Sequence, residues 1–198
     1  MRLALFFFAT VCASVAADWK AGVAAIDITP DGPIWMSGYA ARKEPSKGVE
    51  TPLYAKALAL DDGRQGRVVI VTTDIIGFPR VMADEICVAA LKKYGLERRQ
   101  IVLNSSHTHS GPIIWPNLSS MYNLDAPMQA KVEAYSRGLV GQIVDLIGTT
   151  LGKLSPSRLE FSTGSATFAS NRRLPKDGNI VNAPNPQGPV DHTVPVLE

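Results

Sequence analysis

Cysteine is scarce in this chain, with only Cys12 and Cys87 among 198 residues. One pair at most cannot staple a domain of this length, so the fold must be held by packing, which a large mixed domain can manage. A surplus of either charge is also missing: 20 Lys and Arg face 18 Asp and Glu, a formal +2. Without a basic excess, or a Lys/Arg run interleaved with aromatics, nucleic acid is excluded as a partner. With 45% apolar residues the chain has the composition of a globular protein with a substantial core. Histidine is the third scarcity, at three residues, and two of them stand in one turn.

The N-terminus reads as a targeting segment. Met1 and Arg2 give a positive start, and Leu3 to Val11 is an apolar run too short to span a bilayer. Ser14-Val15-Ala16 or Val15-Ala16-Ala17 then supplies small residues for cleavage. Residues 1–17 are therefore expected to be a secretory signal peptide, with an uncleaved N-terminal anchor as the alternative. Residues 18–198 would form the exported portion, whether secreted, periplasmic or at the cell surface. Lipidation at Cys12 is discounted because bulky Val11 precedes it. Cleavage would remove Arg2 and Cys12, leaving 19 basic and 18 acidic residues, a net +1, and Cys87 as the sole cysteine. Cys87 falls in a helical pattern and is expected to be buried without a catalytic role.

The histidine-bearing stretch is IVLNSSHTHSGP, from Ile101 to Pro112. Three apolar residues lead into small polar ones, and Ser110-Gly111-Pro112 forces a turn, the pattern of a strand ending in a loop. If strand geometry persists through Thr108, His107 and His109 point to the same side. Neutral imidazole suits zinc, and a catalytic zinc site needs three protein ligands and an open position for water, so His-x-His is a candidate half-site. The competing expectation is that both rings simply bond backbone groups.

The surrounding pattern is α/β: a mixed sheet with flanking helices. Trp19 to Pro30 reads as a strand. Leu53 to Leu60 and Arg67 to Thr73 read as an antiparallel hairpin around Asp61-Asp62-Gly63, with the second arm covered on both faces. Pro79 to Tyr94, stopped by Gly95, reads as a helix. Strand, helix and strand in that order imply a parallel pair, which puts Asp74 at the same sheet edge as the histidines. Asp74 either caps the next segment or accepts the second ring N–H of a metal-bound imidazole. Ile34 to Ala41 reads as a loop with aromatic content, and Arg42 to Thr51 as an exposed polar loop. Residues 127–154 form the longest helical candidate, whose Gly138, Gly141 and Gly148 would let neighbouring backbone approach. Arg158 to Ala169 reads as a strand, Leu174 to Val190 as a long loop, and Asp191 to Leu197 as a final strand. His192 is expected at a loop or strand edge and not as a ligand.

Several segments, in order, resemble the neutral/alkaline non-lysosomal ceramidase family. SHTHSGP (106–112) is the most specific, with Ser106 where that family commonly has Thr. AGVAAIDITP, MSGYAAR, VVIVTTD, ASNRR and NPQGPVDHTVPVLE agree around it, so the resemblance spans most of Ala21 to Glu198. It covers only the N-terminal part of that family's catalytic domain, and the chain is expected to be an incomplete domain, inactive by itself. The resemblance implies a secreted zinc-dependent amide hydrolase that cleaves the N-acyl bond of ceramide. It also implies peripheral membrane contact for access to the lipid. In that reading His107 ligates Zn2+, His109 is a catalytic-site residue or, if the strand stays straight, a second ligand, and Arg172 is a catalytic-site residue; Asp74 joins them from its place at the sheet edge. Arg172 offers its fork of donors to developing negative charge. Ile113, Ile114, Trp115 and Pro116, and the aromatic loop from Ile34, read on their own as packing; the resemblance would make the first an apolar mouth for a lipid and the second a wall of it. A non-catalytic exported binding or scaffold module with structural histidines is the rival reading.

Overall fold

The computed structural model describes residues 19–64 and 66–198; the signal-peptide reading of residues 1–17, with Cys12, lies outside them. Two compact units follow one another along the chain, the first ending at Ser157 and the second running from Arg158 to Glu198.

In the first unit a five-stranded mixed sheet is built from β1 (Trp19–Asp27), β2 (Tyr54–Asp61), β3 (Val68–Thr73), β4 (Ile101–Ser105) and β5 (Ser155–Ser157), in the order β4-β3-β2-β1-β5. All pairings are antiparallel except β3 with β4, which run parallel. The hairpin between β2 and β3 forms where Asp61-Asp62-Gly63 foretells it. Gly63 adopts φ 70°, and the carboxylates of Asp61 and Asp62 accept from the amides of Gly63 and Arg64 at 2.8 Å each, an arrangement that short acidic side chains favour. Asp61 is also gripped by Arg67 Nε at 2.8 Å.

Helix α1 (Arg80–Tyr94) connects the parallel strands. Gly95 ends it with φ 69° and donates its N–H to Leu91 O, and Lys92 and Lys93 sit in the last turn, where cations oppose the negative end of the helix dipole. The longer α2 (Ala126–Gly152) starts at Asp125, whose carboxylate accepts from Met128 N. Buried Ile86 from α1 and Ile143 and Ile147 from α2 meet Ala55, Ala57, Val69 and Val71 of the sheet in one core cluster. Full burial of each large aliphatic chain contributes about 1.5–3 kcal/mol. Covering is one-sided, which corrects the expectation for β3: Val69 and Val71 are fully buried, whereas Val68 and Ile70 are half-buried and Thr72 is exposed. Period-two alternation decides this, because the buried side chains of both helices join the same row of strand residues. Cys87 is buried as expected, and burial pushes its thiol pKa up, away from thiolate chemistry.

The glycines of α2 behave differently from expectation. Gly148 does permit close approach, since a Cβ there would strike the Tyr94 ring, but Gly138 and Gly141 face open space. The close backbone contact lies at Gly22 in β1, where a Cβ would collide with Thr150 O and stand 3.0 Å from Leu154 N.

The second unit holds two small antiparallel pairs. β6 (Phe161–Ser165) pairs with β9 (Thr193–Leu197), and β7 (Arg173–Lys176) pairs with β8 (Asn179–Asn182). The expected strand over residues 158–169 shortens to β6. The expected loop over 174–190 contains the β7–β8 hairpin, turned at Asp177 and Gly178 with φ 50° and 76°. Asp-Gly was its signal; Pro175 within the first arm masked it. Among the described residues no helix is long and apolar enough to cross a membrane.

Two outcomes follow for stability. Gly22→Ala is expected to cost about 1–3 kcal/mol in urea unfolding through overpacking, while Gly141→Ala gains up to about 1 kcal/mol from helix propensity. The Asp61 carboxyl is held below its ordinary 3.8, chiefly by the Gly63 amide and then by Arg67. Its contribution is therefore complete above that value and is lost as pH falls through the lower folded pKa. Asp61→Asn should flatten the acid limb of a stability-versus-pH curve; an unchanged limb would contradict this.

Candidate functional site

Parallel pairing of β3 with β4 places Thr73 opposite Ser105, and Ser106 N donates to Thr73 O at 2.9 Å to carry the pairing one residue further. Asp74 and the histidine segment thus leave the sheet at the same edge, as expected. Sites gather at such carboxyl ends because the loops there are free to converge.

The route by which the histidines meet is not the expected one. β4 stops at Ser105, and His107 takes φ 57°, a left-handed conformation that His tolerates better than most residues. The pleat does not continue to Thr108, so alternation does not align the rings. They converge through the turn instead, with centroids 5.0 Å apart and planes at 70°. His107 is exposed and His109 half-buried.

The His107 ring is anchored: its Nδ1 lies 2.7 Å from Ile76 O. A carbonyl oxygen only accepts, so Nδ1 carries the proton and the Nε2 lone pair is left for a ligand. A backbone carbonyl therefore fills the orienting role for which Asp74 was a candidate. Asp74 does not cap the segment that follows it either: its Oδ2 accepts from Tyr54 N at 3.0 Å while its own N donates to Tyr54 O at 2.9 Å. The residue fastens the start of β2 to the end of β3.

A second loop closes over the turn. Ser37 N and Oγ both donate to Gly111 O, at 2.9 and 3.3 Å. Ile113 N donates to Trp35 O at 3.0 Å, and Met36 bridges to Pro112. Tyr39, more than half exposed, sets its ring 4.9 Å from that of His109 at 72°. Arg42, whose segment had read as an exposed polar loop, is half-buried and reaches back to His109 O at 2.7 Å. Gly38, with φ 97°, faces the His109 ring so closely that a Cβ would lie 2.6 Å from His109 Cβ. Its N–H donates to Tyr122 Oη at 3.2 Å.

The apolar segment after the turn is core, not mouth. Ile113 and Ile114 are fully buried, and Ile113 clusters with Ile34 and Val132 beside half-buried Trp35 and Trp115. Arg172 is an exposed residue of the second unit, where its Nε donates to Asn182 Oδ1 at 2.9 Å. His192 is exposed, its Nδ1 3.0 Å from Ala166 O. Among the described residues no three His, Cys, Asp or Glu side chains are gathered closely enough to hold a metal. Of the two imidazoles, His107 has its tautomer fixed with Nε2 free, which fits one position of a zinc shell.

Nitrogen-detected NMR above the imidazole pKa should show His107 as the Nδ1–H tautomer; a dominant Nε2–H form would contradict the Ile76 bond. Gly38→Ala should displace the His109 ring and remove the His107–His109 ring cross-relaxation without unfolding the sheet.

Residues 19–177 match the family model described as neutral/alkaline non-lysosomal ceramidase, N-terminal. The chain is 26% identical over 159 residues to the neutral ceramidase of Pseudomonas aeruginosa, covering 78% of this chain and 23% of that protein. It is 29% identical over 113 residues to the neutral ceramidase of Drosophila melanogaster, covering 56% and 16%. The crystal structure of the Pseudomonas aeruginosa neutral ceramidase superposes with a TM-score of 0.66 over 78% of this chain and 25% of that one. A ceramidase structure described as complexed with C2 gives 0.64 at 24% identity, a likeness of fold. The chain thus spans less than a quarter of the length of these two curated relatives, and its mixed α/β sheet, its His-x-His-Ser-Gly-Pro turn and the match over residues 19–177 make it a member of the neutral/alkaline non-lysosomal ceramidase family.

Proposed function

We propose that this chain is the histidine-bearing N-terminal portion of an exported, zinc-dependent amide hydrolase that releases fatty acid from ceramide or a related N-acyl sphingolipid. The observation that carries the reading is the His107 ring, fixed through Nδ1 to Ile76 O with Nε2 free and His109 beside it, inside a segment whose relatives are named neutral ceramidases. Residues 1–17 would direct export and be removed, and peripheral contact with a membrane would give access to the lipid.

In this proposal His107 Nε2 is the ligand that this segment offers to zinc. Bound there, the ion would supply a water of lowered pKa and polarise the amide carbonyl. His109 is assigned to the pocket and not to the metal, because the strand that would have aligned both rings ends at Ser105. Held edge-on to His107, its imidazole is placed to exchange a proton with a group bound beside that ring. Arg172 is proposed for the developing oxyanion on the strength of the ASNRR resemblance. Asp74, whose carboxylate bonds Tyr54 N, would support the site through the strand ends.

One imidazole ligand makes an incomplete shell, so the 198-residue chain should bind zinc weakly, as read by metal analysis after dialysis. In a longer polypeptide that joins this segment to the rest of a ceramidase domain, His107→Ala should abolish both stoichiometric zinc and hydrolysis of an N-acyl sphingosine. His192→Ala should leave both nearly unchanged. A zinc-loaded, active His107→Ala protein would sink the assignment.

A further inference from the structure

We propose that Arg42 is a positioning residue for the histidine turn, holding His109 in place through its backbone and through Tyr39. The inference rests on His109 being a functional group of the site, as proposed above, but the geometry it concerns is independent of any metal.

Arg42 Nη2 donates to His109 O at 2.7 Å, a charge-assisted bond to a carbonyl that no strand or helix otherwise uses. The same guanidinium lies 5.3 Å from the centroid of the Tyr39 ring, close enough for a cation–π attraction. Tyr39 in turn meets the His109 ring edge-on at 4.9 Å. One planar cation therefore touches both ends of the same residue, its main-chain oxygen directly and its imidazole through one aromatic ring. Arg suits this better than Lys, because its flat fork can bond a carbonyl with one N–H while its face rests on a ring.

The arrangement answers a local weakness. His107 is held by its own bond to Ile76 O, whereas His109 follows a left-handed residue and lies outside the sheet. Gly38 leaves room for the His109 ring and imposes nothing on it. The other contacts of the covering loop grip Gly111, Pro112 and Ile113, beyond the histidines, and Tyr122 further on. Arg42 is half-buried, and its own backbone N donates to Tyr39 O at 3.2 Å, so Tyr39 and Arg42 move as one turn.

The test uses the full 198-residue chain. Arg42→Gln should lose the cross-relaxation between the His107 and His109 rings. It should also raise the rate at which diethyl pyrocarbonate modifies His109 by about tenfold, the factor expected for one lost hydrogen bond to a charged group. His192, exposed and in the other unit, is the internal control and should react at an unchanged rate, and the helical circular dichroism should be preserved. Arg42→Lys, which keeps the charge and a donor but not the flat fork, should retain only part of the cross-relaxation. Tyr39→Leu should free the His109 ring while Arg42 remains. If Arg42→Gln does not fold, the Lys and Leu variants carry the test by themselves. Equal cross-relaxation and equal His109 reactivity in all variants would overturn the proposal. Loss of ring order in Arg42→Gln, together with zinc binding indifferent to His107, would instead overturn the metal assignment and leave Arg42 in its positioning role.

Discussion

Two parallel strands that end level with each other underlie everything at this site. Because Thr73 stands beside Ser105, the segment carrying Ile76 and the segment carrying His107 emerge together. The carbonyl of one can then receive the ring of the other at 2.7 Å. A slip of one residue would invert every side chain of β4 and carry the turn away from Ile76. The register is protected by burial: Ile101 lies in the core with Val69 and Val71, so a slip would turn it outward.

The histidine turn is held from two directions by different chemistry. From below, neutral backbone bonds from Ile76 and Thr73 set the tautomer of His107 and the course of the chain. From above, the loop from Trp35 to Arg42 adds backbone bonds to Gly111 and Ile113 and one cation. Pre-organisation of this kind matters because a metal-binding imidazole must present a defined nitrogen, and a proton-transferring one must keep its distance. Asp74 serves the same end more remotely by tying Tyr54 to the end of β3.

Much of this was legible in the sequence, for identifiable reasons. The hairpin, α1 with its Gly95 stop, and the strand before the histidines all follow from local periodicity and punctuation, which depend on neighbours along the chain. The pairing of the two histidines was also legible, although strand alternation was the wrong reason for it: a left-handed His107 brings the rings together. What escaped is mostly contact between segments distant in sequence. Ile76 contributes a carbonyl, which carries no residue signature, and so Asp74 seemed the better orienting group. Arg42 stands in a polar run indistinguishable from a solvated loop. Only the family resemblance made Ile113 and Ile114 an apolar mouth, and the packed fold shows instead that Ile34 and Val132 surround Ile113.

The contacts that close the turn span long stretches of chain. Gly38 bonds Tyr122 across 84 residues, Ser37 bonds Gly111 across 74, and Arg42 bonds His109 across 67. None belongs to a sheet ladder, and each spans a long chain closure that a formed sheet shortens. The covering loop is therefore an add-on to a sheet that is complete without it, and it can detach in a local opening while every strand pair stays formed. Backbone spectroscopy would register almost nothing of such an event. A preparation could be fully folded by that measure and still consist of molecules whose histidines no longer face each other, so for this protein the integrity of the fold and the competence of its site are separate quantities.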